Sequence, residues 1–553
     1  VVRPVNSRTQ GGVGVLAARG IAPPPPPPPP TPPPPRVWEA DAGLAQLEGL
    51  GVYRLARRPG RTPGLATGAN ADQVVAATNA GLFMGTRSHA AGPPAVDRWT
   101  WAKIPALDLF VGVLPQVTDV LWLPGGANGR IVVAVAGQGV AFSDSLGAPT
   151  GAVGDPPQGW TWVTNLNRPG GTPVQGRLSL APPVAGRVYV LGEVRVPGPP
   201  PVNTPSLWVI PNAAAAGPTA TPVPGVPANI WTALGNSQRD YDQAIAVTTA
   251  GGLDRVFLGG STIQTQPPNS DWCASLWCFD VTGAPAAPVL AAATGVSRTG
   301  APVAPPPPDA GGDGADIAGL VGNNVHADVH AIRLVTPPAP APATVWVGCD
   351  GGVYVSAQGG RGNTFQPRAT GLAVLEVGFH AAHPTSSHFG VIGCQDNGTQ
   401  VRTGDTVWEE TLVGDGGGVV FHPVHSQFFI AQYALGTWRG RPNAVYADPL
   451  DRQSHDGTRS GREPGLTTFY SGAAAVRNGA VGRIALGTNR VWLTEDLGVA
   501  SPNTWRVLPF VVAPAPAAAP ADPRPGGIDP PAPNAQHTFG VPVVGGVAGA
   551  LGA

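Results

Sequence analysis

The chain has 553 residues, with 77 Gly, 67 Pro, only 12% charged residues and a formal net charge of −1. So little charge, with Lys103 the sole lysine, leaves no electrostatic footprint for nucleic acid or an anionic membrane surface. Turn formers outweigh helix formers, and no apolar run approaches the roughly 18 residues that a membrane span needs.

Residues 1–36 read as an arm. After VVRPVNSRTQGGVGVLAARGIA comes the run Pro23 to Pro35, broken only by Thr31. Proline locks φ and lacks a backbone donor, so this run is a polyproline II rod, at 3.1 Å per residue roughly 40 Å long. The apolar residues Val13, Val15, Leu16 and Ile21 at its tip are suited to adding a strand to an exposed edge in another copy. A flexible spacer is the plainer alternative.

Residues 37–512 read as one repeat domain, beginning with a short helix and then the strand GVYRLA. A β-branched strand, a glycine-containing turn and a second short strand recur eight times. The first strands are QVVAATN (from Gln73), RIVVAVAG (Arg130), RVYVLGE (Arg187), RVFLGG (Arg255), TVWVGC (Thr344), FGVIGC (Phe389), FFIAQY (Phe428) and GRIALGT (Gly482). Further apolar runs precede several of them: VTDVLWLP, DQAIAVT, DVHAIRL and VLEVGFH. An aromatic closes most units: Trp101, Trp162, Trp231, Phe365, Trp408 and Trp505. Small four-stranded sheets repeated radially make a β-propeller, here with eight blades and seven as the alternative, because a single small sheet cannot bury both of its faces. Asn443 to Thr467, polar and Gly/Arg-rich, reads as a surface loop. Residues 513–553 are a Pro/Ala linker and an apolar tail whose Val543 and Val544 are, like the arm, suited to pairing.

The ends of the repeated strands carry a further pattern. Thr494, Asp496, Gly498 and Trp505 fit Ser/Thr-x-Asp-x-Gly followed by Trp. Ser356, Gln358, Gly360, Thr364 and Phe365 follow it with Gln for Asp, and Ser143, Ser145, Gly147 and Trp162 with Ser for Asp. This resembles the Asp-box of sialidase-type BNR repeats. The run from His326 through GCDGGVYVS and GCQDNGT to GDGGG is similar to secreted BNR-repeat proteins, which share their propeller type with sortilin ectodomains and xyloglucanases. The resemblance spans about 73–509 and implies a propeller and a secreted setting, not an activity. It implies a structural role for the boxes, whose polar side chains tie down turn amides.

Chemistry concentrates in His326, Asp328, His330, Asp350, Gln395, Asp396, Asn397 and Asp415, all expected at strand ends around a channel mouth. His326-x-Asp328-x-His330 read as a strand places three side chains on one face, compatible with a metal. Glycoside hydrolysis needs two facing carboxylates. The pool is Asp242, Asp328, Asp350, Asp396 and Asp415, and spacing singles out no pair. Satisfying turn amides is the plainer role for all of these. No cofactor is implied; a structural calcium at Asp350 or Asp415 stays open, although GDGGG lacks the Asp ladder of a calcium loop. Asn397-Gly398-Thr399 is a formal glycosylation sequon.

Four cysteines allow three pairings. Cys273–Cys278 and Cys349–Cys394 are the expected disulfides, with four buried thiols as the alternative. A first residue Val1 fits a removed signal peptide or a partial sequence. The expectation is therefore an extracellular, non-catalytic structural or adhesive propeller that assembles with copies of itself through its tails. The competing expectation is a secreted glycan-binding or glycoside-hydrolase-like propeller, partnered by extracellular polysaccharide or glycoprotein.

Overall fold

Every one of the eight repeated phrases forms the second and third strands of an antiparallel sheet, and the apolar runs upstream form the first. The computed structural model describes residues 2–3, 47, 49–61, 71–90, 96–125, 129–145, 159–167, 174–199, 201–233, 236–264, 272–293, 318–337, 341–368, 375, 377–404, 408–412, 414–426, 428–433, 437–442, 470, 472–487, 491–495 and 506–507. The fold is all-β and of the β-propeller class, with eight consecutive blade-like sheets. The chain divides into two compact units, one holding Leu16–Arg368 and the other Ala369–Ala553 with the N-terminal strand Val2–Arg3.

The larger unit holds five four-stranded sheets spanning 52–103, 117–167, 174–223, 244–292 and 329–367. Their first strands are Val52–Arg57, Val117–Leu123, Val174–Leu180, Ala244–Ala250 and Val329–Val335, and each of these neighbours the next. They are the inner strands of the five blades. Hydrophobic cores fill the gaps between successive sheets. In the fourth sheet the period of two decides which gap a residue enters: Ile245 and Val247 pack toward the third sheet, while Ala244 and Ala246 pack toward the fifth. The arginine that opens several repeats has a local task. Arg130 grips Asp144 and Arg255 grips Asp280, each through two hydrogen bonds, tying the second strand to the end of the third.

A helix that periodicity did not suggest, Pro105–Val111, follows the first sheet. Proline occupies its first turn and Gly112, at φ 81°, closes it in the left-handed conformation that glycine tolerates. It buries Leu107 against the first and second sheets. The helix expected near residue 37 lies outside the described residues.

The smaller unit holds sheets over 377–412, 416–442 and 473–507, with four, three and four strands from the repeats. Val419 and Phe421 pack toward the sheet before, and Val420 toward the sheet after. Val2–Arg3 adds in parallel to the outer strand Trp408–Leu412 of the same chain. Val13, Val15, Leu16, Ile21, Val543 and Val544 lie outside the described residues, as does the loop expected at Asn443 to Thr467. Among the described residues, no helix is long and apolar enough to cross a membrane.

The expected disulfides are corrected. None of the four cysteines is in a disulfide, and all four are buried. Cys273 and Cys278 lie on one continuous strand, Trp272–Ala284, whose rise of about 3.3 Å per residue holds them far beyond bonding reach. The Cys349 thiol donates to the Gly352 carbonyl at 3.4 Å. Burial pushes the Cys394 thiol up to about 12 and the Cys278 and Cys349 thiols higher still, so none of these three is a ready nucleophile.

Candidate functional site

The inner strands of the larger unit are not regular, and their irregularities build the site. Register slips occur at Tyr53 on the first strand, Thr118 on the second, between Gln175 and Ser179 on the third, and at His330 on the fifth. A bulge leaves a residue out of the ladder and re-aims its side chain. Tyr53, Thr118, Arg177 and His330 all line one cavity of about 640 Å³ bounded by the five inner strands.

At the His330 edge of this cavity sits a cluster of polar side chains. His330 Nε2 is hydrogen-bonded to Asp350 Oδ1, and its Nδ1 lies 3.7 Å from Asp242. The Tyr241 hydroxyl donates to both Asp350 oxygens at 3.3 and 3.1 Å, and its ring meets the His330 ring edge-on at 4.7 Å. The Ser261 hydroxyl reaches Asp328 Oδ1 at 3.1 Å. Asp242 is wholly buried, whereas Tyr241 is 48% exposed. Burial first, and then the neighbouring charges of Asp328 and Asp350, drive the Asp242 carboxyl far above the usual carboxylate range. It keeps its proton at neutral pH. Two acids with access to solvent are thus backed by one that stays neutral.

The structure thus brings Asp328, His330 and Asp350 together but departs from the expected His-x-Asp-x-His face. The strand begins at Val329, and Asp328 has φ 63°, so the alternation is broken before His330. His326 is buried instead, its Nδ1 3.2 Å from the Ala327 carbonyl and its ring packed where a side chain on Gly351 would stand. A three-residue face for a metal is therefore absent from this stretch. In the smaller unit, Asp415 accepts from the Asp396 amide and the Tyr470 hydroxyl, both at 3.4 Å. The Gln395 carbonyl accepts from the Asn397 amide at 2.6 Å and from its side chain at 3.0 Å. These contacts join the four residues in one turn. Thr399 of the sequon is fully buried.

The positions expected to be Asp-boxes also form turns. Ser143 and Ser356 are buried, and their hydroxyls accept from the amides of Ser145 and Gln358 at 3.3 and 3.2 Å. Ser356 is further bonded to Thr364 at 2.6 Å. Here the first residue of each expected box, Ser143 or Ser356, ties down the amide two positions later. Gly360, at φ 75°, lies against Phe257, where a side chain has no room. Thr494 is buried too; Gly147, Asp496, Gly498 and Trp505 lie outside the described residues.

Tyr241, Ser261 and the arginines of the cavity were not singled out by the sequence. The one signal was the acid that opens the inner strands, in VTDVLWL, DQAIAVT and DVHAIRL: Asp119, Asp242 and Asp328.

No family model matches the chain. No curated protein matches it either. Among solved structures, it is similar to the GH74 xyloglucanase from Xanthomonas campestris at 13% identity and a TM-score of 0.42. That match covers 82% of this chain and 66% of the xyloglucanase, so the chain spans just under two thirds of that protein. A second match is the β-propeller domain of Cps50 (Swd1) from Myceliophteria thermophila, at 12% identity and a TM-score of 0.25, covering 69% of this chain and 95% of that one.

Proposed function

We propose that this is an extracellular β-propeller of BNR type that binds carbohydrate at Tyr241, His330 and Asp350, beside the inner-strand cavity. One observation carries the reading: an exposed aromatic ring, an imidazole and a carboxylate are bonded to one another at the rim of a cavity that His330 itself lines. A sugar offers apolar C–H faces to an aromatic ring and hydroxyl donors to a carboxylate, and binding sites are built from such a mixture of apolar surface and few polar groups. Asp328 and Asp350 are the two acids with solvent access in this cluster, so any glycosidic cleavage would fall to them, with Asp242 behind as a buried proton store. Calcium is not part of the reading.

Self-assembly through the tails has less support. Within the arm, Val2–Arg3 is the described strand, and it pairs with its own chain.

Calorimetric titration of the full chain with a panel of plant and bacterial oligosaccharides tests the reading. Tyr241→Ala and Asp350→Asn are expected to weaken binding about tenfold or more, the size of a lost charged hydrogen bond. Binding unaffected by both substitutions overturns it.

A further inference from the structure

The cavity carries a charge that the chain as a whole lacks. The protein has a net charge of −1, yet the lining itself contains Arg54, Arg177 and Arg333 against one carboxylate, Asp119, a formal charge of +2, while the acids Asp328 and Asp350 stand outside it at the His330 edge. Asp119 is already committed. It accepts from Arg54 at 3.0 Å and from the Leu180 and Val120 amides at 2.7 Å each. Arg54 is spent on that pair and on the Leu180 carbonyl at 2.9 Å.

Two guanidiniums remain. Arg177 sits in the irregular stretch of the third inner strand and donates from Nη1 to the Tyr241 carbonyl at 2.8 Å, which fastens it to the residue that anchors the carbohydrate site. Its Nε is buried with no acceptor. Arg333, on the fifth inner strand three residues beyond His330, is exposed to the same cavity. Walls of low dielectric focus the field of such charges on whatever enters.

We infer that the carbohydrate taken by this protein is acidic, and that Arg177 and Arg333 receive the carboxylates of its uronate residues along the cavity. The inference rests on the carbohydrate reading of the Tyr241 site. A guanidinium presents a planar fork of donors that matches a carboxylate, where an ammonium offers only a point charge. Neutral sugar units would then lie against Tyr241 while neighbouring uronates engage the arginines.

The test titrates the full chain with polygalacturonate and with the same polymer after reduction of its carboxyl groups to alcohols. The acidic polymer is expected to bind about tenfold or more tightly than the reduced one, at a margin that shrinks as salt is raised. Arg333→Gln, at an exposed position, is expected to remove most of that margin and leave binding of the reduced polymer unchanged. Arg177→Lys keeps the charge but loses the fork, and is expected to weaken the acidic polymer more than the reduced one, whose smaller loss reports the bond to the Tyr241 carbonyl. Tyr241→Ala is expected to weaken both. Equal affinity for the two polymers, with Arg333→Gln silent, overturns the acidic preference and leaves the carbohydrate reading standing. A sulfated polymer that outcompetes polygalacturonate overturns the uronate assignment. Failure of both polymers to bind overturns the uronate inference, and failure of the whole oligosaccharide panel overturns the reading beneath it.

Discussion

His330 is bonded through one ring nitrogen to Asp350, while its other nitrogen faces the buried Asp242 at 3.7 Å. One imidazole therefore connects an acid open to solvent with an acid that solvent never reaches. That arrangement exists because His330 falls at a register slip of its strand, which turns it from the sheet toward the cavity.

The first prediction concerns Asp242. Its folded-state pKa is raised, so folding is favoured while it is protonated, and that stability is lost as pH climbs from the ordinary carboxylate range toward the raised value. Asp242→Asn mimics the neutral acid. It is expected to fold normally at pH 7 and to gain on the wild type by ~1 kcal/mol or more by pH 9.5, as read from urea midpoints. A difference that stays flat with pH contradicts the assignment.

A second titration is expected in the smaller unit. Burial raises Glu410 to about 7. The sign is the same: wild-type stability falls as pH rises from about 4.5 through 7, and is level above. Glu410→Gln should remove this slope and stabilise the protein at pH 8 by ~3 kcal/mol at most. Thermal melts across that range check it.

The Gly-Cys strand ends make a matched pair. A Cβ on Gly393 would meet the Gly417 carbonyl oxygen at 1.9 Å, whereas one on Gly348 meets nothing nearer than the Ala331 Cβ at 3.7 Å. Gly393→Ala is expected to destabilise by ~1–3 kcal/mol, as overpacking does, and Gly348→Ala to be nearly silent. Chemical denaturation of the two variants decides. The same crowding explains GDGGG: a Cβ on Gly416 would meet the Gly398 oxygen at 2.1 Å, and one on Gly417 the Gln432 side chain at 2.3 Å. Gly416 lets two neighbouring sheets approach, and Gly417 makes room for Gln432 within its own sheet.

Thiol titration tests the cysteine correction. Under non-reducing conditions the native protein should react slowly or not at all with a thiol reagent, and the denatured protein should yield all four thiols. Zero or two thiols on denaturation would restore one or both disulfides.

Much of the fold was legible because blades repeat. Strand periodicity and glycine turns located the second and third strands of all eight sheets, and RIVV, RVYV and RVFL marked strands whose leading arginines pair with acids. The site was legible only in part. Asp328, His330 and Asp350 stood out by residue type, but the left-handed Asp328 and the slip at His330 depend on how a strand meets its neighbour. Strand alternation alone therefore placed His326 wrongly. Asp242 was one of five candidate acids, and nothing local distinguishes an acid that will be buried from one that will not. Arg177 and Tyr241 meet across 64 residues, through a contact that no local pattern encodes.

The most direct measurement is a crystal structure of the full chain soaked with the best-binding oligosaccharide from the titration panel. The account predicts a sugar ring against the face of Tyr241, with a hydroxyl on Asp350 and the chain continuing into the cavity past Arg177. Density confined to another surface, with the Tyr241, His330 and Asp350 cluster unchanged, would contradict it.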